Sequence, residues 1–317
     1  MKITEHINNA KSTLFSLEII PPKKGDSIEN LFGQIDPLME FKPPFIDVTY
    51  HREEYVYKER GNGLLEKRST KKRPGTVGIC AAIKHHYEVD PVPHIICGGF
   101  SKEETENALI DLNFLGIDNV LALRGDSIKS EDNFIPESDG NAYASELVDQ
   151  VARMNRGEYL DDELQNAIPS NFCIGVAGYP EKHFEAPNMD FDLNWLKKKV
   201  ELGAEYIVTQ MFFDNKMYFD FVDSCREIGI EVPIIPGLKP IATMKHLTML
   251  PKIFKIDVPK ELEREVVKCK NNEAIKELGI EWGIAQCKEL IERDVPVLHF
   301  YSMGKSDAIQ RIAREFF

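Results

Sequence analysis

The chain has 317 residues, of which 43% are hydrophobic and 29% are charged, so it can bury a sizeable core and is typical of a globular protein. The excess of acidic residues gives a net charge of −13, and the cations do not gather in one long tract. A nucleic-acid partner is therefore disfavoured, and an acidic solvated surface is the simpler interpretation.

Short apolar runs rich in β-branched and aromatic residues alternate with longer segments of helical periodicity along the chain. The runs predict eight strands, at residues 13–20, 45–50, 92–97, 119–124, 172–179, 205–210, 233–238 and 297–302. Amphipathic spacing predicts helices at residues 27–40, 102–115, 142–155, 192–202, 217–228, 242–250 and 306–316. Residues 53–88 are less regular, with a helix expected within 75–86, and two extra helices are expected within 259–292.

Eight nearly all-apolar strands with helix-length crossovers predict an α/β protein with a closed parallel sheet, a (β/α)8 TIM barrel with extra helices before the last strand. Such barrels fold as one unit of about 250 residues, so residues 1–317 are expected to form a single catalytic domain. A doubly wound sheet is the alternative. It normally has a G-x-G-x-x-G fingerprint after its first strand, whereas here that strand runs into Pro21-Pro22-Lys23-Lys24, and the fingerprint is absent from the sequence.

Other patterns exclude further classes of protein. The cysteines form no C-x-x-C pair, which predicts reduced, mostly buried thiols and no metal site. No run approaches the roughly 18 apolar residues of a membrane span, and the amino terminus lacks an apolar signal core, so we expect a cytoplasmic protein without membrane contacts. The most basic stretch, residues 67–73, is interpreted as an exposed loop or helix end rather than a phosphate site.

Polar residues end nearly every predicted strand, at the edge of a closed barrel where catalytic groups lie. Glu18 follows Leu17 in an apolar run, and burial there would raise its pKa and make it a candidate general acid. A structural carboxylate paired with arginine or lysine across the barrel is an equal alternative. The other strand-end residues are Thr49 with Tyr50, His94, Arg124 with Asp126, Tyr179 with His183, Gln210, and Tyr301 with Lys305.

Several of these ends suit a flat polar ligand. Arg124, Gly125 and Asp126 combine a cation, a flexible residue and an anion that could bind such a ligand, although a salt bridge at the barrel rim would also explain the charges. Tyr179 could stack on an aromatic cofactor, while a solvated turn is the simpler explanation. Gln210 could hydrogen-bond a heterocycle or be a satisfied core amide.

Taken in order, these motifs resemble the methylenetetrahydrofolate reductase family, specifically its short, bacterial-type catalytic barrels. The resemblance runs from about Phe15 to Tyr301 and rests on Leu17-Glu18-Ile19-Ile20-Pro21-Pro22, Val48-Thr49-Tyr50, Pro93-His94, Leu123-Arg124-Gly125-Asp126, Tyr143-Ala144-Ser145-Glu146-Leu147, Tyr179-Pro180-Glu181-Lys182-His183, Thr209-Gln210-Met211-Phe212-Phe213-Asp214, Ile235-Pro236-Gly237 and His299-Phe300-Tyr301. Because the chain stops soon after the last strand, the adenosylmethionine-binding regulatory domain of eukaryotic members is not expected.

The resemblance implies that non-covalent FAD accepts a hydride from NADH or NADPH and reduces 5,10-methylenetetrahydrofolate to 5-methyltetrahydrofolate, in one-carbon metabolism and methionine supply. Nicotinamide and folate would take turns at the flavin. Glu18 would protonate N10 of the folate, whose five-membered ring then opens to a 5-iminium cation that accepts the hydride. Asp126, the second catalytic residue, would stabilise this cation. A homo-oligomer is expected, because family members commonly associate.

The resemblance also implies which residues bind cofactor and substrate. For the cofactors they are Thr49, Tyr50, His94, Arg124, Gly125, Asp126, Ala144, Tyr179, His183, Ala186, Asp192, Lys198 and Lys199, with Thr49 contacting nicotinamide. For the folate they are Asp126, Gln210, His246 and Lys305. Lys198 and Lys199 are placed at the start of a helix, where free N–H groups would also meet the pyrophosphate of FAD, and a solvated lysine face is the alternative.

Four positions depart from the family pattern. Arg52 replaces a small residue beside the flavin, Trp195 an asparagine near its phosphates, His246 a glutamine near the folate, and Lys305 an arginine. Three other functions remain open: a flavin-free pterin-binding barrel such as a folate-linked methyltransferase, a Schiff-base aldolase, and a non-catalytic binding protein. The aldolase is disfavoured because none of the predicted strands contains a lysine.

Overall fold

A computed structural model describes residues 1–53, 55–69, 73–128, 131 and 133–317. The first half of the chain forms α1 (Ile3–Asn9), β1 (Leu14–Ile19), α2 (Ile28–Ile35), the 3-10 helix η1 (Asp36–Phe41), β2 (Phe45–Val48), β3 (Tyr55–Glu59), β4 (Leu65–Ser69), α3 (Thr76–Tyr87), β5 (Asp90–Ile96), α4 (Lys102–Phe114), β6 (Asn119–Leu123) and α5 (Ala144–Met154). The second half forms β7 (Cys173–Gly178), α6 (Met189–Glu201), β8 (Tyr206–Thr209), α7 (Asn215–Glu227), β9 (Ile234–Ile235), β10 (Gly237–Leu238), α8 (His246–Phe254), α9 (Lys260–Lys268), α10 (Asn272–Glu292), β11 (Val297–Tyr301) and α11 (Asp307–Ala313).

The main sheet is parallel and has the strand order β10-β11-β1-β2-β5-β6-β7-β8-β9. Its two end strands, β9 and β10, are separated only by Pro236, which has no N–H group for the ladder. They are two parts of one interrupted strand, and the backbone N–H of His299 on β11 donates to the carbonyl oxygen of Pro236 at 3.2 Å. The sheet therefore closes on itself, which confirms the predicted (β/α)8 barrel.

The predicted strands agree with the observed ones to within about two residues, and the helix expected in 75–86 and the two extra helices, α9 and α10, are confirmed. The predicted helix at 27–40 is wrong beyond Ile35, because Pro37 cannot donate to an α-helical bond and the chain continues as η1. Helix α1 and the antiparallel β3–β4 hairpin were not predicted. The loop predicted at 67–73 is wrong over residues 67–69, which belong to β4, and residues 70–72 lie outside the described part of the chain.

One core layer fills the space between barrel and helices, and a second fills the barrel interior. Interior side chains come from alternate strand positions and include those of Phe45, Val92, Leu121 and Tyr206. The same cluster includes Ile3 of α1, whose backbone N–H donates to Asn119 Oδ1 at 2.8 Å at the start of β6. Helix α1 thus closes the amino end of the barrel.

All six cysteines are free thiols, and five are buried, as expected. No helix in the described ranges is long and apolar enough to cross a membrane.

Candidate active site

Glu18 lies near the carboxyl end of β1, opposite Asp47 on β2 and Tyr301 on β11 in the strand register. Its side chain is 13% exposed. Burial raises the pKa of Glu18 to about 7, while the charge of His94 lowers it and that of Asp47 raises it further. The carboxyl group that sequence analysis singled out is therefore close to half protonated at neutral pH. The expected alternative, an arginine or lysine at contact distance, is not found among the described residues, since the ion-pair partner of Glu18 is His94.

A layer of buried polar side chains lies within the barrel at the level of Glu18 and below it. We call Ser16, Asp47, His94 and His299 the polar layer. Each is at most 4% exposed. Ser16 Oγ lies 2.8 Å from His299 Nδ1, and His94 Nε2 lies 3.6 Å from Asp47 Oδ2. Asp47 was not predicted and His299 was given no role, although period-two alternation from Thr49 and Tyr301 places both side chains on the interior face.

A cationic cluster lies beside Glu18. Lys239, which directly follows β10, is 9% exposed and its Nζ donates to the carbonyl oxygen of Ser302 at 3.1 Å. Burial and the nearby charge of Lys305 lower the pKa of Lys239 to about 8, against the attraction of Glu18. Burial, Lys239 and Lys305 together lower the pKa of His246 to about 4, so this imidazole is neutral at pH 7. The two predicted folate residues, His246 and Lys305, thus lie near Lys239, and Lys239 lies near Glu18.

Lys239 is not among the predicted site residues. It is the polar residue that ends the seventh strand, the one strand for which no polar end was proposed, and this position was a usable signal. It is also a buried lysine of the kind that a Schiff-base aldolase requires, so the lack of lysine in the predicted strands does not by itself exclude that function.

Arg124 and Gly125 follow β6. The guanidinium Nη1 donates to Glu185 Oε2 at 2.6 Å, and this hydrogen bond raises the pKa of Arg124. Arg124 also lies over the ring of Phe134, 5.1 Å from its centroid. The partner is thus on the loop after β7, and the alternative of an Arg124–Asp126 salt bridge at the rim is not found among the described residues. Gly125 has φ of +85°, a conformation that favours glycine, and Asp126 follows it on an exposed loop.

The residues after β7 form a connected group with α6. The rings of Tyr179 and His183 meet edge to face at 4.8 Å, and both side chains are half-buried. The backbone N–H of His183 donates to Asp192 Oδ2 at 2.7 Å. Burial lowers the pKa of His183, with Asp192 opposing the shift. Ala186 is buried in the same turn, where its carbonyl accepts from Lys182 Nζ at 2.5 Å.

The predicted position of Lys198 and Lys199 is wrong. Helix α6 begins at Met189, after the capping side chain of Asn188, so both lysines lie in its last turn, far along the helix from its free N–H groups. Lys198 is exposed, whereas Lys199 Nζ donates to the carbonyl oxygen of Ala177 at 2.9 Å. Burial lowers the pKa of Lys199 to about 8. A shared pyrophosphate site at a helix start is therefore excluded for this pair.

The remaining predicted residues lie around the same end of the barrel. Thr49 Oγ1 donates to the carbonyl oxygen of Ile19 at 2.9 Å, which fixes it beside β1. The half-buried ring of Tyr50 meets that of Phe100 at 5.0 Å. Gln210 Oε1 accepts from the backbone N–H of Met211 at 2.9 Å, so the amide nitrogen and the second lone pair of Oε1 can contact a ligand. Ala144 is the first residue of α5 and is partly exposed.

Two of the positions that depart from the family pattern have defined partners. Arg52 Nη1 lies 3.0 and 3.1 Å from the two carboxylate oxygens of Glu131, and its Nη2 lies 3.3 Å from Glu137. It therefore joins the loops after β2 and β6 and pairs with acidic residues other than Glu18. Trp195 on α6 stacks on Tyr143 before α5, at 6.2 Å between ring centroids.

Comparison with known proteins shows the family of this chain. The family model described as methylenetetrahydrofolate reductase matches residues 2–316. The chain belongs to the methylenetetrahydrofolate reductase family. A family member from Arabidopsis thaliana, methylenetetrahydrofolate reductase (NADH) 1, is 34% identical over 96% of the chain and 49% of its own length. The 5,10-methylenetetrahydrofolate reductase of Pectobacterium carotovorum is 30% identical over 92% of the chain and 86% of its own length. The chain thus spans about half the length of the plant reductase and most of the bacterial one.

Among solved structures, an uncharacterized protein from Clostridium thermocellum that binds two copies of 5-methyl-5,6,7,8-tetrahydrofolic acid is similar in fold. Its TM-score is 0.58 at 16% identity, over 98% of this chain and 97% of that one. Oxaloacetate acetylhydrolase matches with a TM-score of 0.53 at 8% identity, over 99% of this chain and 84% of that one. At these identities the similarities concern the fold alone.

Proposed function

We propose that this chain reduces 5,10-methylenetetrahydrofolate to 5-methyltetrahydrofolate with FAD as cofactor and NADH or NADPH as electron donor. The observation that supports the proposal is Glu18, a carboxyl group held partly protonated at neutral pH inside a barrel of this family. The electron donor stays open, because the relative from Arabidopsis thaliana is named for NADH and one from Caenorhabditis elegans for NADPH.

The chemistry of the residues at the barrel mouth fits FAD. Arg124 has five N–H donors, of which Nη1 contacts Glu185, so the guanidinium has donors to offer a pyrophosphate. The half-buried rings of Tyr50 and Tyr179 offer flat apolar faces to a flavin ring system. Gly125, with its positive φ, lets the backbone approach a ligand closely.

Bound FAD would carry the hydride between nicotinamide and folate. The other proposed FAD residues are His94, Asp126, Ala144, His183, Ala186, Asp192, Lys198 and Lys199, and Thr49 would contact the nicotinamide.

The first contribution of the protein's own residues is the proton that Glu18 donates to the folate. Protonated Glu18 donates to N10 of the folate, which makes that nitrogen a leaving group and opens the five-membered ring. The carboxylate that remains lies 3.5 Å from His94 Nε2 and is attracted by Lys239, so both residues stabilise it after the transfer. Asp126, on its exposed loop, would place a negative charge near the cation formed on the folate.

Binding of the folate would use the cationic cluster. Lys305 and Lys239 attract carboxylates, and neutral His246 offers a hydrogen bond without adding charge at pH 7. The amide nitrogen of Gln210 would donate to the pterin.

The decisive experiment is anaerobic mixing of the purified protein with NADH or NADPH, followed by methylenetetrahydrofolate, while the flavin absorbance is recorded. We expect the nucleotide to bleach a bound flavin and the folate to restore its colour. A colourless protein that binds folate would favour a flavin-free pterin-binding methyltransferase. A flavin that is bleached by nucleotide but not reoxidised by the folate would contradict the proposed substrate.

A further inference from the structure

We propose that Asp47 is a positioning residue that keeps His94 as an imidazolium cation beside Glu18 and thereby sets the acidity of Glu18. This inference deepens the proposed function and rests on it for its catalytic consequence. The charge arrangement itself concerns only residues of this chain.

The first observation is the setting of Asp47. Its side chain is 1% exposed, and neither carboxylate oxygen has a hydrogen-bond partner among the residues described. A buried carboxylate without hydrogen bonds is costly unless a cation lies nearby. The group that meets this need is His94, whose Nε2 lies 3.6 Å from Asp47 Oδ2, at ion-pair distance though beyond hydrogen-bond length.

The second observation is that His94 Nε2 faces two carboxyl groups. It lies 3.5 Å from Glu18 Oε2 on one side and 3.6 Å from Asp47 Oδ2 on the other. A neutral imidazole has one N–H bond and can direct it to one oxygen, whereas a positive charge attracts both carboxyl groups. Burial alone would lower the pKa of His94, but Asp47 and Glu18 outweigh it and raise the pKa above its ordinary value.

The other titratable groups around Asp47, His94 and Glu18 are mostly uncharged at pH 7. From β11, burial lowers the pKa of His299, whose Nδ1 is paired with Ser16, so His299 is neutral. From β8 and α3, burial raises the pKa of Tyr206 and of Cys80, with Asp47 adding to both shifts, so neither is ionised at pH 7. Burial likewise raises the pKa of Tyr301.

Among the described residues, the other cation whose charge acts on this group is Lys239, and it acts on Glu18. His94 is therefore the cation that faces Asp47. Without the charge of Asp47, burial would favour the neutral imidazole at pH 7. Because His94 lowers the pKa of Glu18 more than Asp47 raises it, loss of both charges makes Glu18 a weaker acid.

The test is an NMR titration of the imidazole groups in histidine-labelled protein as purified, with His94 assigned by the signal lost in His94→Gln. In the wild type we expect the pKa of His94 to lie above the ordinary 6.5. In Asp47→Asn we expect the proton affinity of His94 to fall at least tenfold. Ser16→Ala is the matched control. It removes a hydroxyl group from the polar layer without changing its charge, and should leave the His94 titration unchanged.

A second readout separates a charge effect from damage to the fold. In Asp47→Asn the pH profile of kcat for folate reduction should shift to higher pH with a lower plateau, while KM for the folate stays within about twofold, because Asp47 does not line the ligand space. A wild-type His94 pKa at or below 6.5 overturns the inference, and this needs no variant to fold. An unchanged His94 pKa in Asp47→Asn overturns it as well. If folate reduction fails while the titrations behave as expected, the proposed function is wrong and the charge assignment stands.

Discussion

Lys199 reaches from the last turn of α6 to the end of β7, where its Nζ donates to the carbonyl oxygen of Ala177 at 2.9 Å. Its neighbour Lys198 is exposed. Lys199→Ala should therefore lower the free energy of unfolding by about 1 to 3 kcal/mol, because it leaves a strand-end carbonyl unpaired and removes the packed aliphatic stem. Lys198→Ala is the matched control, expected within about 0.5 kcal/mol of wild type. Urea denaturation measures both, and equal effects would contradict the structural role of Lys199.

Glu18→Gln should keep FAD and its reduction by NADH or NADPH but lose folate reduction, because an amide cannot donate the proton that opens the folate ring. The folate half-reaction should fall by about 100-fold or more. Stopped-flow absorbance of the flavin measures the two half-reactions separately. Glu103→Gln, the same change at an exposed position on α4, should react like wild type. Folate turnover at the wild-type rate in Glu18→Gln would falsify the role of Glu18.

The pKa of Glu18 also has a consequence for stability. Its folded-state pKa of about 7 lies above the ordinary 4.5, so the buried carboxylate costs stability that is absent below pH 4.5 and grows to its full size above pH 7. The shift corresponds to about 3 kcal/mol. Glu18→Gln should therefore gain about 2 to 3 kcal/mol relative to wild type between pH 5 and pH 8, measured by urea denaturation at both pH values. A constant difference across this range would contradict the raised pKa.

Gly175 on β7 leaves space for a ring inside the barrel. A Cβ atom there would lie 2.1 Å from Tyr206 Cζ, and Tyr206 is fully buried. Gly175→Ala should lower the free energy of unfolding by about 1 to 3 kcal/mol through overpacking. Gly33→Ala in α2, where no atom lies within 4 Å of the new methyl group, should instead raise it by about 0.5 to 1 kcal/mol. Thermal unfolding compares the two variants, and a Gly175→Ala protein as stable as wild type would show that Tyr206 can move.

Arg52 should hold the loop after β6 in place through Glu131 and Glu137. In Arg52→Ala, amide hydrogen exchange of residues 133–140 should become about fivefold faster, as expected when an ion pair worth about 1 kcal/mol is lost. Arg60→Ala is the control, because Arg60 pairs with Glu66 within the β3–β4 hairpin. Unchanged exchange in Arg52→Ala, or an equal effect of both variants, would argue against this role.

The sequence alone was sufficient to predict the eight-stranded barrel, because buried parallel strands are apolar at every position and stand out from amphipathic helices. It also identified Glu18, a single charge in such a run. Asp47 has the same signature in Phe45-Ile46-Asp47-Val48 and lies opposite Glu18 in the strand register. It was passed over because the predicted strand ran on to residue 50, so that Thr49 and Tyr50 were taken as its polar end, whereas β2 ends at Val48.

Other features depend on contacts that no local pattern records. The glutamate that binds Arg124 lies 61 residues away along the chain, so Asp126 was the partner suggested by proximity in sequence. The position of α6 depended on the side chain of Asn188, which accepts from the backbone N–H of Phe191 and starts the helix three residues before the predicted boundary. The assignment of the chain as one domain, its oligomeric state and the roles of the individual site residues remain predictions.

The packing of α1 against the amino end of the barrel has a consequence for the order in which ligands bind during turnover. Ile3 is buried among the interior side chains, so α1 covers the amino end of the barrel. Under the proposed function, nucleotide and folate would then both bind at the carboxyl end of the barrel, where Glu18 lies. Because both would use the same site, the oxidised nucleotide has to dissociate before the folate can bind, and the two half-reactions must follow one another.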